Sequence, residues 1–205
     1  MSPWLLLAAS YLLGSVPASY LAGRWARGID LRAHGSGNLG ATNTFRVLGA
    51  KVAAPVVLFD VAKGFVPAML FPLWDASPDA RWGIAYGVAA ILGHVFSLYM
   101  RFRGGKGVAT GAGVFLGLAP FAVGVAFVVW LAVLRASRMV SLASLLASLT
   151  LVPALFLTPV PREVRILGVA VAAFILYSHR GNVRRIVRGE EPRFGTPKPA
   201  PGEGR

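Results

Sequence analysis

Long apolar segments recur along this chain of 205 residues, and short polar loops separate them. Most of these segments are close to the roughly 20 residues that a helix needs to cross the apolar core of a bilayer. Pro17 interrupts the first segment, and because proline removes an amide donor we expect a kink there. The pattern predicts an all-α integral membrane protein. The segments are residues 4–22, 52–74, 81–100, 108–134, 139–158 and 164–177.

The number of spans depends on the run 108–134. Read as one tilted helix, it gives six spans and places the basic C-terminus opposite the first basic loop. Gly117 and Pro120 stand in its middle, and proline is well tolerated at a helix start. Two short helices that meet there give seven spans and collect most lysines and arginines on one side. Because cytoplasmic loops are enriched in these residues, we predict seven transmembrane helices, some short or broken, with the N-terminus outside and the C-terminus cytoplasmic.

Composition agrees with a membrane location. Charged residues make up 14% of the chain, whereas a soluble domain carries about a quarter. The net charge of +13 would suggest nucleic acid as a partner of a soluble protein, but here it lies in short loops and the tail, so we expect no nucleic acid. Half of residues 192–205 are proline or glycine, which predicts a disordered cytoplasmic tail after a membrane-embedded domain of residues 1–191.

Polar residues are concentrated between the first two segments, in residues 34–46. Glycines let backbone N–H groups approach a ligand closely, and successive free N–H groups form a concave site for an anion. The guanidinium of Arg46 suits phosphate or carboxylate. A plain polar turn between membrane helices is the alternative. The candidate binding residues of this loop are Gly35, Ser36, Gly37, Asn38, Gly40, Thr42, Asn43 and Arg46.

A second glycine-rich cluster stands immediately before the run 108–134. It comprises Gly104, Gly105, Lys106 and Gly107. The Gly-Lys-Ser/Thr end of a Walker A loop is absent, but amides at a helix N-terminus together with an ammonium group bind anions on the same principle. A basic loop at the membrane edge is the alternative interpretation.

Two further groups of polar residues lie at the predicted cytoplasmic side. Ser141 and Ser144 begin one segment, and His179 and Asn182 follow the last one. A helix that continues this far would place His179 and Asn182 on one face, and histidine is the natural proton carrier near neutral pH. All these groups share one side of the membrane. We therefore predict a cytoplasmic-face active-site cavity that fits a substrate with a phosphate head and a fatty tail.

Other ionisable residues have less specific interpretations. Asp60 and Lys63 lie three residues apart inside the second segment, where charged groups are costly and usually pair. An ion pair that fixes helix packing and a direct catalytic role are both open. His94 stands alone and is more often a packing residue than a ligand. The three histidines and eight acidic residues show no metal-ligand spacing, so we expect neither a metal nor a cofactor.

Together, these motifs resemble the bacterial acyl-phosphate:glycerol-3-phosphate acyltransferases. The resemblance covers residues 1 to about 191 and implies a seven-helix fold in the bacterial inner (plasma) membrane. It implies that acyl phosphate and glycerol 3-phosphate give lysophosphatidic acid, the first step of phospholipid synthesis, with no direct use of acyl-CoA or acyl carrier protein. A separate soluble enzyme that makes acyl phosphate is then a further candidate partner. The matching motifs are 35–43 with Arg46, 60–64, 104–110, 141–144 and 179–182.

The residues favour direct attack by the glycerol hydroxyl on the acyl carbon. The His-x₄-Asp and Gly-x-Ser-x-Gly motifs of other acyl-transferring enzymes are absent. Ser36, Arg46 and Lys106 would hold the phosphates, and the glycine amides would stabilise the oxyanion or the departing phosphate. His179 and Asn182 would orient glycerol 3-phosphate, and the base would be His179 or a phosphate oxygen. A transporter or channel for small organic anions is the rival class, but it predicts polar residues on both faces and an internal repeat, which we do not find.

Overall fold

The computed structural model describes residues 1–77, 79 and 81–194. The regular elements of this part of the chain are helical, as the apolar pattern predicts. Short 3₁₀ segments precede α3 and follow α5, and α4 continues through a π-helical and a 3₁₀ segment to Trp74. The helices are α1 (Pro3–Ser15), α2 (Ala18–Arg27), α3 (Ala41–Leu48), α4 (Ala50–Phe65), α5 (Arg81–Val95), α6 (Val108–Leu118), α7 (Pro120–Ser137), α8 (Val140–Phe156), α9 (Arg162–Ser178) and α10 (Arg180–Val187).

Both helix breaks that proline predicts are present. Helix α6 ends at Leu118 and α7 begins at Pro120, so the run 108–134 is divided where its glycine and proline indicate. Around Pro17 the axes of α1 and α2 differ by 40°. Because proline lacks an amide hydrogen, each break leaves a carbonyl that needs another donor.

The membrane spans follow from helix length and apolar character. Among the described residues, three helices are long and apolar enough to cross a membrane: Ala50–Trp74, Arg81–Met100 and Pro120–Ser137. Counting the bent pairs α1–α2 and α9–α10 as one span each gives five. The shorter apolar helices α6 and α8 complete the seven segments identified from the sequence. That each of the seven crosses the membrane stays a prediction.

The last helix pair differs from the sequence-based expectation. Helix α9 ends at Ser178, and α10 leaves it at an angle of 56°. A straight helix through His179 and Asn182, the condition under which they would share one face, is therefore not present. His179 instead occupies the junction, and Asn182 lies in the first turn of α10.

Glycines bring two pairs of helices into backbone contact. A Cβ atom on Gly14 of α1 would overlap the carbonyl oxygen of Ala90 in α5, and one on Gly93 would overlap that of Tyr11. Helices α4 and α6 meet in the same way at Gly64 and at Gly113. Small residues at helix interfaces are how membrane helices approach closely. The loop between α5 and α6, which carries Lys106, is therefore anchored at both ends.

The first residues after the predicted membrane domain contact the helices. The ring of Phe194 stacks on Phe45 of α3 with centroids 4.4 Å apart, and its amide donates to the carbonyl of Arg138 at 2.5 Å. Residues 192–194 of the predicted tail thus lie against the bundle. The rest of the predicted disordered tail, 195–205, lies outside the described residues.

Candidate active site

A cavity of about 1270 Å³ opens among helices α3 to α10. Its polar end is formed by the loops before α3 and α6, the start of α8 and the junction of α9 with α10. Its other end is apolar and extends between the helices. This second end is lined by Val57, Phe115, Val123, Phe127, Leu151 and Val171, among others.

Most candidate residues from all four polar groups line this one cavity. They come from distant parts of the sequence, and the fold brings them together at the polar end. They are Ser36, Gly37, Asn38, Gly40, Thr42, Asn43, Arg46, Lys106, Gly107, Ser141, Ser144, His179 and Asn182.

Asn43 holds the first loop in shape. Its side-chain amide donates to the carbonyls of Leu31 (3.2 Å) and His34 (3.0 Å), and its oxygen accepts from the amide of Ser36 at 2.9 Å. Asn43 is only 1% exposed. These bonds fix the loop conformation, so Asn43 supports the site while its neighbours face the cavity.

Two helix N-termini reach the polar end. Gly40 precedes α3, and Gly107 precedes α6 with φ +80°, which favours glycine. The first N–H groups of a helix have no partners within the helix, and the helix dipole makes this end positive. Both features favour the binding of an anion such as phosphate.

Three candidate glycines are not among the residues that line the cavity. The amides of Gly104 and Gly105 already donate to the carbonyls of Val95 (2.9 Å) and His94 (3.1 Å). Gly35, with φ +62°, packs against the side chain of Asn43. The amides of Gly104 and Gly105 are therefore not available to a ligand, which differs from the expectation for these two glycines.

A hydrogen-bonded network joins three elements at the polar end. The ammonium of Lys106 donates to the side-chain oxygen of Asn182, whose NH₂ group donates to Glu191 at 2.6 Å. Glu191 also accepts from Ser141 at 2.7 Å and from Arg185 at 2.8 Å. This network fixes the orientation of the Asn182 amide and the position of Lys106.

The charges at this end are mainly positive. Burial lowers the pKa of Lys106 to about 8, with Glu191 opposing the shift and Arg185 and Arg46 adding to it. Burial raises the pKa of Glu191, but hydrogen bonds from Ser141, Asn182 and Arg185 outweigh it and hold that pKa below its usual value. At neutral pH the site therefore contains a charged lysine beside an ionised glutamate.

His179 has a defined hydrogen-bonding role. Its Nδ1 atom lies 2.9 Å from the carbonyl of Ile175, so Nδ1 carries the proton and Nε2 is the acceptor. Burial, and then Lys106, lower the pKa of His179 to about 4. The imidazole is therefore neutral at physiological pH.

Ser144 takes part in helix packing at the cavity wall. Its hydroxyl donates to the carbonyl of Val140 at 2.9 Å and accepts from the indole of Trp130 at 3.4 Å. Ser141, one turn earlier, faces Glu191 instead. The two serines thus differ in their contacts although both line the cavity.

Sequence reasoning missed Glu191, Arg184 and Arg185, which also line the cavity. In the sequence, Glu191 marks only the end of the membrane domain, because it belongs to no glycine-rich or donor-rich motif. One feature of the sequence could have pointed to Glu191. An acidic residue within a strongly basic segment indicates that it pairs with one of its basic neighbours. Among the described residues, no cluster of three or more histidines and acids could hold a metal ion.

The fold and the cavity define a helical membrane protein that combines a cationic polar end, reached by two helix N-termini, with an apolar chamber. This combination suits a ligand with an anionic head and an apolar tail. A family profile described as glycerol-3-phosphate acyltransferase matches residues 4–189. The chain belongs to that family.

Relatives match over nearly their whole lengths. The glycerol-3-phosphate acyltransferase of Macrococcus caseolyticus is 42% identical over 93% of this chain and 96% of its own. The glycerol-3-phosphate acyltransferase of Myxococcus xanthus is 44% identical over 92% of this chain and 98% of its own. The crystal structure of PlsY, an integral membrane glycerol 3-phosphate acyltransferase, in its glycerol 3-phosphate form is 38% identical, with a TM-score of 0.85 over 95% of this chain and 96% of that one. The structure of the lysophosphatidic acid form is 37% identical in sequence, with a TM-score of 0.85.

Proposed function

We propose that this protein transfers an acyl group from acyl phosphate to the 1-hydroxyl of glycerol 3-phosphate, giving lysophosphatidic acid and phosphate. The observation that carries the proposal is the single cavity that joins Lys106, Asn182 and two helix N-termini to an apolar chamber. The polar end suits both phosphate groups, and the apolar end suits the acyl chain. The solved relative, with glycerol 3-phosphate and lysophosphatidic acid forms, supports the same substrates.

Direct attack is the mechanism that these residues support. The glycerol oxygen bonds to the acyl carbon, the carbon–oxygen bond to phosphate breaks, and the hydroxyl proton ends on the departing phosphate. Acyl phosphate is already activated, so the protein mainly positions the reactants and stabilises charge. Ser36, Arg46 and Lys106 hold the phosphates, while His179 and Asn182 orient the acceptor. A pKa near 4 makes His179 a weak base, which favours a phosphate oxygen as proton acceptor.

The function can be tested in membranes that contain this protein as their only acyltransferase. We expect them to convert acyl phosphate and labelled glycerol 3-phosphate to lysophosphatidate, with phosphate released in equal amount. Membranes without the protein are the control. Movement of intact glycerol 3-phosphate across sealed vesicles, with no product formed, would favour the transporter alternative.

Rapid quenching tests direct attack. With labelled acyl donor alone we expect no labelled protein, because the hydroxyl of the acceptor is itself the nucleophile. The measurement is labelled protein recovered after denaturation, with the complete reaction as a control for activity. A stoichiometric acylated serine that discharges when glycerol 3-phosphate is added would contradict direct attack.

We propose that the polar end of the cavity faces the cytoplasm of a bacterium, with the protein in its inner membrane. There the cavity is accessible to glycerol 3-phosphate and to a soluble enzyme that supplies acyl phosphate. Because the chain has no cysteine, single cysteines at Ala136 and Leu118 can be labelled selectively. We expect labelling of position 136 from inside and of position 118 from outside. Labelling of position 136 from outside alone would contradict this orientation.

The pH dependence of kcat/KM for glycerol 3-phosphate tests the role of Lys106. Its pKa lies near 8, so the ammonium is present below that pH and is lost above it. Since kcat/KM reports ionisations of the free enzyme, it should fall as pH rises through about 8. Lys106→Arg should move the fall to higher pH, because arginine stays protonated. An unchanged profile in that variant would contradict the assignment.

A further inference from the structure

A buried polar cluster lies beside the active site, and the mechanism above does not use it. It contains Asp60 and Lys63 of α4, each 2% exposed, and His94 of α5, 7% exposed. The Lys63 ammonium lies 2.8 Å from the Asp60 carboxylate. Charged groups in a membrane interior are costly, and apolar residues of similar size often pack as stably as a buried ion pair. Helix packing alone therefore accounts poorly for the cluster.

The α4 side of the cluster is fixed to the break between α1 and α2. Lys63 donates to the carbonyl of Val16 at 2.9 Å, immediately before Pro17. Ser97 donates to the neighbouring carbonyl of Ser15 at 2.5 Å. These two donors satisfy carbonyls that the helix break exposes. The carboxylate of Asp60 is thus held by an anchored lysine.

The α5 side of the cluster contacts the loop that carries Lys106 at the point where the first loop approaches it. His94 Nδ1 lies 3.6 Å from the Asp60 carboxylate and has no hydrogen-bond partner within the described part of the chain. The opposite edge of the ring packs against Gly105, where a Cβ atom would overlap both His94 Nε2 and the carbonyl of Leu39. The backbone carbonyl of His94 also accepts from the amide of Gly105 at 3.1 Å.

The two loops meet at Gly105, and the His94 ring packs against this same glycine. Leu39 belongs to the first loop, and Gly105 directly precedes Lys106. Asp60 and His94 also form part of the cavity wall. A shift of the imidazole would therefore move Gly105 and change where Lys106 stands relative to the amides before α3.

We propose that Asp60, held by Lys63, positions the His94 ring, and that this ring sets the separation of the two phosphate-binding loops. Asp60, Lys63 and His94 are then positioning residues of the reaction. The proposal rests on the proposed function, because it assumes that both loops hold phosphate groups. It resolves the two interpretations of the Asp60–Lys63 pair in favour of a role beyond packing.

The double variant Asp60→Asn/Lys63→Met tests the proposal. Each single change leaves a buried charge without its partner and should destabilise the protein. The double change removes both charges, and Val16 keeps a bond from the amide of Ala18, so stability should largely return. The single variant His94→Leu removes the imidazole, and with it the contact with Asp60. Melting temperature, kcat and both KM values are measured for each variant.

We expect KM for glycerol 3-phosphate to rise about 10-fold in the double variant and in His94→Leu, with kcat reduced as well, because misplacement by about 1 Å costs up to 100-fold. A merely structural role would reduce the amount of folded enzyme and hence the maximal rate, but would leave KM unchanged. An unchanged KM in both variants, with a rate that follows the folded fraction, would overturn the proposal.

Binding of inorganic phosphate distinguishes a failure of this proposal from a failure of the proposed function. Its binding to the purified protein can be measured without turnover, and we expect weaker binding in the same two variants. A wild-type protein that binds phosphate but forms no lysophosphatidate would contradict the function alone. Equal phosphate affinity in wild type and variants would contradict the positioning role. Asp79→Asn/Arg81→Met is the matched control, since this exposed pair lies at the opposite end of α5.

Discussion

Replacing Lys106 with alanine should slow turnover roughly 10- to 150-fold, because losing a charged hydrogen bond to a bound phosphate costs about 1.5–3 kcal/mol. Arg46→Ala should have an effect of the same order. Both side chains lie at the polar end of the cavity, at a loop before α6 and in α3. The measurement is kcat/KM for glycerol 3-phosphate and for acyl phosphate, with folding checked by melting temperature.

Arg103→Ala is the matched control for Lys106→Ala. Arg103 lies in the same loop, carries the same charge and is exposed. Its removal should leave both kinetic constants within about twofold, since the field of an exposed charge is screened by water and salt. Normal kinetics in Lys106→Ala and Arg46→Ala would remove both residues from the site. Equal losses in Arg103→Ala would indicate a general effect of loop charge.

Replacing Glu191 with alanine should affect stability and activity together. The change removes the acceptor of Ser141, Asn182 and Arg185 and leaves Lys106 without a fixed partner amide. Breaking a buried charged network of this kind costs about 3 kcal/mol, a little less than a fully buried pair because Arg185 is partly exposed. Activity per folded molecule should fall by about 100-fold, since the lysine is no longer held in place.

Glu190→Ala provides the control, because Glu190 is the exposed neighbour of Glu191 and carries the same charge. The Glu190→Ala variant should have the melting temperature and the turnover rate of the wild type. Glu191→Gln keeps the shape of the side chain and should be less severe than Glu191→Ala. If Glu191→Ala loses stability but keeps its activity per folded molecule, the network is structural and does not position Lys106.

Much of the fold could be predicted because strong local signals determine it. Apolar runs define the helices, and the lack of an amide hydrogen in Pro120 divides α6 from α7. The polar loops could be predicted for a related reason, since glycines with serine, arginine or lysine between apolar runs are typical of turns that bind anions. All but three of the candidate site residues line the one cavity.

What the sequence could not indicate is where each group points. Gly104 and Gly105 look like anion-binding amides, but carbonyls of His94 and Val95 already bind them. Glu191 gains its importance only from contacts with residues far away in the chain. His94 stands alone in the sequence, and only folding places it against Gly105, where the two loops meet. Such relations arise from tertiary packing and have no local pattern.

The two ends of the cavity are exposed to different environments. Ser36 and Arg184 line the polar end and are exposed, whereas Val57 (40% exposed) and Phe127 (55% exposed) line the apolar end and also reach the outer surface of α4 and α7. In a bilayer this outer surface adjoins hydrocarbon. Each methylene kept out of water is worth roughly 0.8 kcal/mol, so a fatty chain that enters sideways from the lipid avoids a large partition cost. The product can leave by the same sideways route, with its tail already in the leaflet and its head group at the interface.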